Sequence, residues 1–101
     1  MRFLLKISFP VEAGNAAAHD GFKNIQSILA EQKPEAVYFL ADNGKRTGIL
    51  IVNMEDASQI PGIAEPWFLA FNAAIEWTPA MVPADLQKAA PAIARAVKTY
   101  G

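Results

Sequence analysis

The sequence predicts an α+β fold with a βαββαβ core: a two-layer sandwich holding one four-stranded antiparallel sheet, with an extra helix at the C-terminal end. Three observations predict it. Arg2 to Phe9 alternates apolar and polar side chains, an Asn43-Gly44 turn joins two apolar runs, and stretches with helical spacing stand before and after that hairpin. With 101 residues, the expectation is one domain over residues 1–101.

The first strand carries Phe3, Leu5, Ile7 and Phe9 on one side and Leu4, Lys6 and Ser8 on the other, and Pro10 stops it. A helix should follow, because Ala18, Phe22, Ile25 and Leu29 recur at steps of four, three and four. Gly14 or Asn15 is the expected cap, and Lys33-Pro34 the expected end. Val37 to Ala41 and Thr47 to Asn53 flank Asp42-Asn43-Gly44-Lys45. A type I′ turn needs positive φ at both central residues, which asparagine tolerates and glycine adopts freely, so these runs are predicted to be an antiparallel hairpin.

Asp56, with Gln59 three residues later, has the spacing of a capping box. Pro61, Gly62 and Pro66 follow it, so the sequence predicts a bent or broken helix whose second half, Ala64 to Phe71, packs Trp67 and Phe68 before Asn72 ends it. Ile75 to Met81 is predicted as a fourth strand at an edge, since Pro79 cannot donate to a central ladder. In the last helix Pro83 suits the first position and Asp85 complements the helix dipole. Leu86, Ile93 and Val97 supply its apolar contacts, and Pro91 is expected to divide it in two.

Composition narrows the partners. Hydrophobic residues are 52% and charged residues 19% of the chain, with net charge −1 and the nine basic residues scattered, which argues against tracking a nucleic-acid backbone. No cysteine is present, so disulfides, thiolate metal sites and a thiol nucleophile are excluded. No motif for a cofactor or metal is found. Phe3 to Phe9 is short and interrupted by Lys6, so it reads neither as a signal sequence nor as a membrane span, and the cytoplasm is the expected location.

Right-handed crossovers put both helices of the core on one face of the sheet. The other face should then alternate with polar residues if water covered it, yet Val37 to Ala41 and Gly48 to Val52 contain no polar residue. Either the C-terminal helix crosses that face or an identical sheet packs on it from a second subunit, and a homodimer joined through that sheet face is the expected solution.

In element order and in its two-sided apolar sheet the chain resembles the dimeric α+β-barrel superfamily of ferredoxin-like folds. Glu65-Pro66-Trp67-Phe68-Leu69, followed by Glu76 to Leu86, is similar to segments of small bacterial proteins of unknown function. The superfamily holds cofactor-independent monooxygenases, a muconolactone isomerase, haem-handling enzymes and proteins without known activity. The resemblance implies a small-molecule pocket between sheet and helices or inside the barrel, and it transfers no catalytic residue.

Four groups are candidates for chemistry. Lys6 and Glu76 should meet across neighbouring strands, near Ser8, Thr78 and Asn53, and can orient an anion or move a proton, although a plain ion pair also explains them. His19 is the lone histidine and the natural base at neutral pH, in polar surroundings that suit simple exposure. Tyr38, Trp67, Phe71 and Trp77 can wall a ligand pocket, and core packing explains them too. Asn43 to Arg46 has the form of a basic grip, which its turn chemistry already accounts for. The function expected is binding of a small, mainly apolar molecule. The alternative is a cofactor-independent isomerase or monooxygenase acting on a cyclic or aromatic metabolite.

Overall fold

A computed structural model describes residues 1–101. In chain order it has β1 (Arg2–Ser8), α1 (Val11–His19), α2 (Lys23–Gln32), β2 (Ala36–Asp42), β3 (Lys45–Asn53), a 3₁₀ turn (Ala57–Gln59), α3 (Ile60–Phe71), β4 (Ala74–Ala80) and α4 (Pro83–Tyr100). The four strands form one sheet in the order β2-β3-β1-β4, and every pair is antiparallel. This is the ferredoxin-like arrangement that the alternation and the hairpin predict, with a further helix at the C-terminal end.

The hairpin closes as its chemistry requires. Asn43 has φ 52° and Gly44 φ 72°, and the register runs from Asp42 opposite Lys45 to Ala36 opposite Ile51. That register sorts the side chains into two faces. Leu5, Ile7, Leu50 and Val52 face the helices and are buried, where Ile25 and Ile28 of α2 and Ala64, Trp67 and Phe71 of α3 meet them. Phe9 stands edge-on to Trp67 and Phe71, with ring centroids 6.1 and 5.1 Å away. Gln32 ties the two helices together: its Nε2 donates to the Ile63 carbonyl at 2.8 Å and its Oε1 accepts from Trp67 Nε1 at 3.2 Å. The buried indole donor is thereby satisfied.

Three boundaries differ from the sequence expectation. The first helix begins at Val11, directly after Pro10, and not at Gly14 or Asn15. Gly14 is buried there against Arg46, so its small size serves packing and not capping. That helix also stops and restarts. Gly21 and Phe22 are left-handed (φ 72° and 58°), the Phe22 N–H donates to the Ala17 carbonyl and the Gly21 N–H to Ala18, which is a Schellman closure. Neither proline interrupts its helix: α3, expected to be bent or broken, is continuous through Pro66, and α4, expected to divide, is continuous through Pro91. The carbonyls these prolines leave without a donor belong to Gly62 and Gln87, both exposed, where water can satisfy them.

The capping box is present. Asp56 accepts from the Ser58 N–H at 2.8 Å, while Gln59 Oε1 accepts from the N–H groups of Glu55 and Asp56. This bond from Ser58 holds the Asp56 carboxyl below its usual range.

α4 stands apart. It spans 18 residues, roughly 27 Å at 1.5 Å per residue, and none of them is buried. The Cα radius of gyration is 17.1 Å, against about 13 Å for a compact chain of this length. The molecule is correspondingly drawn out, 57 × 28 × 19 Å. No helix is long and apolar enough to cross a membrane.

Candidate functional site

With both core helices on one side, the opposite sheet face is left open. Register places Leu4, Lys6 and Ser8 of β1, Thr47, Ile49 and Ile51 of β3, Tyr38 and Leu40 of β2, and Glu76 and Thr78 of β4 on it. Tyr38 is 66% and Leu40 43% exposed. The face is mainly apolar at the middle of β2 and β3 and carries charge at Lys6 of β1, Asp42 of β2 and Glu76 of β4.

Lys6 and Glu76 are register partners, as the sequence predicts. The ammonium does not close on that glutamate. It crosses β3 and meets Asp42, with Nζ 2.6 Å from Oδ2, and the hydrogen bond and charge of Asp42 raise the lysine above its usual range, with a smaller push from Glu76. A second pair lies near the other end of β1. Arg2 Nε donates to both oxygens of Glu35 at 3.2 and 3.0 Å, and that hydrogen bond above all holds the glutamate below its usual range, opposed by burial and helped by a smaller effect of the guanidinium charge. His19 is exposed at the end of α1.

The main cavity is on the helix side, a cleft of about 560 Å³ between α1–α2 and the β2–β3 edge. That volume is in the range of small-molecule sites. Phe9, Phe22, Ile25, Leu29 and Phe39 give it apolar walls. Space exists because Gly14 and Ala17 on α1 and Ala41 on β2, which also line it, have little side-chain volume. Gly48 adds to this: the Phe39 ring lies 3.5 Å from where a Cβ would stand, so the aromatic covers the bare backbone of its cross-strand neighbour. The break at Gly21 and Phe22 turns the second piece of the helix so that Phe22 lines the cleft.

The cleft's polar side chains are few, Arg46 and Gln26; Thr47 borders it from β3 with its side chain toward the other face. Thr47 is buried and donates to the Lys45 carbonyl at 3.1 Å, and Gln26 Nε2 donates to the Gly21 carbonyl at 3.2 Å. Arg46 folds back over α1. Its Nη1 donates to Asn15 Oδ1 at 2.8 Å, and it passes 3.0 Å from where a Cβ on Gly14 would be.

Of the aromatic candidates, Trp67 and Phe71 belong to the core and reach the cleft only through Phe9. Trp77 packs edge-on to Phe3 at 6.1 Å, and Tyr38 is on the open face. Lys6, Glu76 and His19 do not line the cleft, so the structure does not gather them there. Phe39 is the lining residue that sequence reasoning passed over, and Arg46, read there only as part of a basic grip at the hairpin tip, lines the cleft. Gly48, Leu50 and Val52 are on the inward side of β3, and Arg46, two residues before Gly48, shares that side.

Comparison with known proteins gives a family and a distant fold likeness. The family model described as a domain of unknown function, DUF3303, matches residues 1–94. No curated protein matches the sequence. Among solved structures, a formyltetrahydrofolate deformylase from Pseudomonas putida KT2440 is similar, with TM-score 0.49 and 20% identity; the match covers 79% of this chain and 29% of the deformylase.

Proposed function

This chain belongs to the DUF3303 family, a domain of unknown function, and we propose that it is a homodimeric binding module that holds a small, mainly apolar molecule between its helices and the β2–β3 edge. The observation that carries this reading is the cleft of about 560 Å³, walled by aromatic and aliphatic side chains and open to solvent beside the packed core. Burial of apolar ligand surface there supplies the affinity. Trp67 and Phe71 act as backing for Phe9, fixing the innermost ring of the wall.

The dimer half of the reading rests on two uncovered surfaces. The open sheet face presents Tyr38 and Leu40, and α4 presents Leu86, Ile93 and Val97 at more than half exposure each. Leu86, Ala90, Ile93, Val97 and Tyr100 recur at steps of four and three, a single apolar seam with no counterpart in its own subunit. A second copy supplies the cover, sheet face toward sheet face, with Tyr38 in the contact and each α4 reaching across.

Binding of the neutral fluorophore N-phenyl-1-naphthylamine tests the cleft. Emission should rise on adding protein and should be lost in Ala41→Trp, which fills the mouth from an exposed strand position, while Tyr38→Ala leaves it intact. Absent enhancement in the wild type, or enhancement indifferent to Ala41→Trp, would overturn the reading.

A further inference from the structure

Arg46 is the one charged residue lining the cleft, and it has no acidic partner. Of the other cations of the sheet, Arg2 is engaged by Glu35 and Lys6 by Asp42, and Lys45 does not line the cleft. The long side chain of Arg46 does not trail in solvent. Asn15 accepts from its Nη1, and the missing side chain at Gly14 provides the groove in which its stem lies, with Cδ 3.2 Å from the Cβ position. Asn15 is neutral, so this bond orients the guanidinium without cancelling its charge. A guanidinium has five donors in a fixed fork, and Asn15 uses one. The remaining donors stand at the rim of a cavity lined by no carboxylate.

We propose that the cleft selects amphiphilic monocarboxylates: an apolar, preferably aromatic body between Phe22 and Phe39, with its carboxylate paired to Arg46. The inference rests on the binding reading above and adds the chemical class of the ligand to it. Charge complementarity picks a carboxylate over a cation, and the planar fork matches its two oxygens. The small number of polar groups on the walls excludes a densely hydroxylated ligand, whose buried groups would go unpaired. Gly14 and Asn15 are positioning residues in this scheme, acting through Arg46.

The test compares 2-naphthoate with the uncharged 2-naphthalenemethanol, each displacing N-phenyl-1-naphthylamine from the wild type and from Arg46→Met, Arg46→Lys and Gly14→Ala. Wild-type protein should bind the carboxylate about tenfold or more tighter than the alcohol, the difference a charge-assisted pair makes. Arg46→Met should abolish that preference while the alcohol still binds, and Arg46→Lys should restore part of it. Gly14→Ala, whose methyl group meets the guanidinium, should reduce the preference with the helix intact by circular dichroism. Equal affinities in the wild type, or a preference that survives Arg46→Met, overturn the carboxylate assignment and leave the apolar cleft standing. Failure of both ligands and of the fluorophore removes the cleft reading, and this proposal with it.

Discussion

If the proposed dimer forms, replacing Ile93 and Val97 of α4 by lysine should separate it without unfolding the subunit. In the isolated chain Ile93 is 52% and Val97 63% exposed. Burying such a side chain completely contributes roughly 1.5–3 kcal/mol relative to full exposure, so covering the exposed half to two-thirds contributes about 1–1.5 kcal/mol per residue. Two residues on each of two arms bring about 4–6 kcal/mol to the dimer, which lysine at both positions forfeits. The dissociation constant should therefore rise by about 10³- to 10⁴-fold. Sedimentation equilibrium across a dilution series measures it directly. Because no residue of α4 is buried in its own subunit and Ile93 and Val97 are both exposed, unfolding of the variant should differ from that of dilute wild type by only about 0.5 kcal/mol. An unchanged dissociation constant would refute the role given to the helix, and a large loss of stability in the monomer would show that α4 packs at home.

Three further outcomes follow from the packing. Trp67, with no exposed surface and its Nε1 bonded to Gln32, should cost about 3–5 kcal/mol on replacement by alanine in urea unfolding; Trp67→Phe should cost roughly 1–3 kcal/mol, because Gln32 Oε1 loses its donor. Lys33 ends α2 in the left-handed region at φ 48°, so Lys33→Gly should stabilise the protein by about 1 kcal/mol, read from the same transition. Glu35, held below its usual range by Arg2, contributes stability that is present above the ordinary carboxylate range and is lost as pH falls through its folded value. Glu35→Gln should accordingly flatten the loss of melting temperature between about pH 6 and pH 3, and an acid limb identical to that of the wild type would mean the pair contributes nothing.

Sheet and hairpin were legible because their signals are local. Alternation in β1 and the Asn43-Gly44 turn each demand one backbone geometry, and register follows from them. The capping box at Asp56 and Gln59 was legible for the same reason. The break at Asp20-Gly21 was present as a glycine stop signal, but the apolar spacing of Ala18, Phe22, Ile25 and Leu29 runs straight across it. The spacing held on average while the backbone turned, which periodicity cannot register. Pro66 and Pro91 misled in the opposite direction, since their cost depends on whether the orphaned carbonyl can reach water, a tertiary property. The cleft was the least legible feature. It is made of residues that are absent in volume, Gly14, Ala17 and Ala41, and of Arg46 folded back from a strand onto a helix 31 positions away in sequence. Large aromatics are the conspicuous pocket signal in a sequence, whereas the space here lies where side chains are small.

Native mass spectrometry of the protein purified from its own host tests both halves of the account at once. The expected species has twice the 10.9 kDa chain mass and retains a small ligand that gentle activation releases. A bare species at 10.9 kDa, persisting at micromolar concentration and carrying nothing, would contradict it.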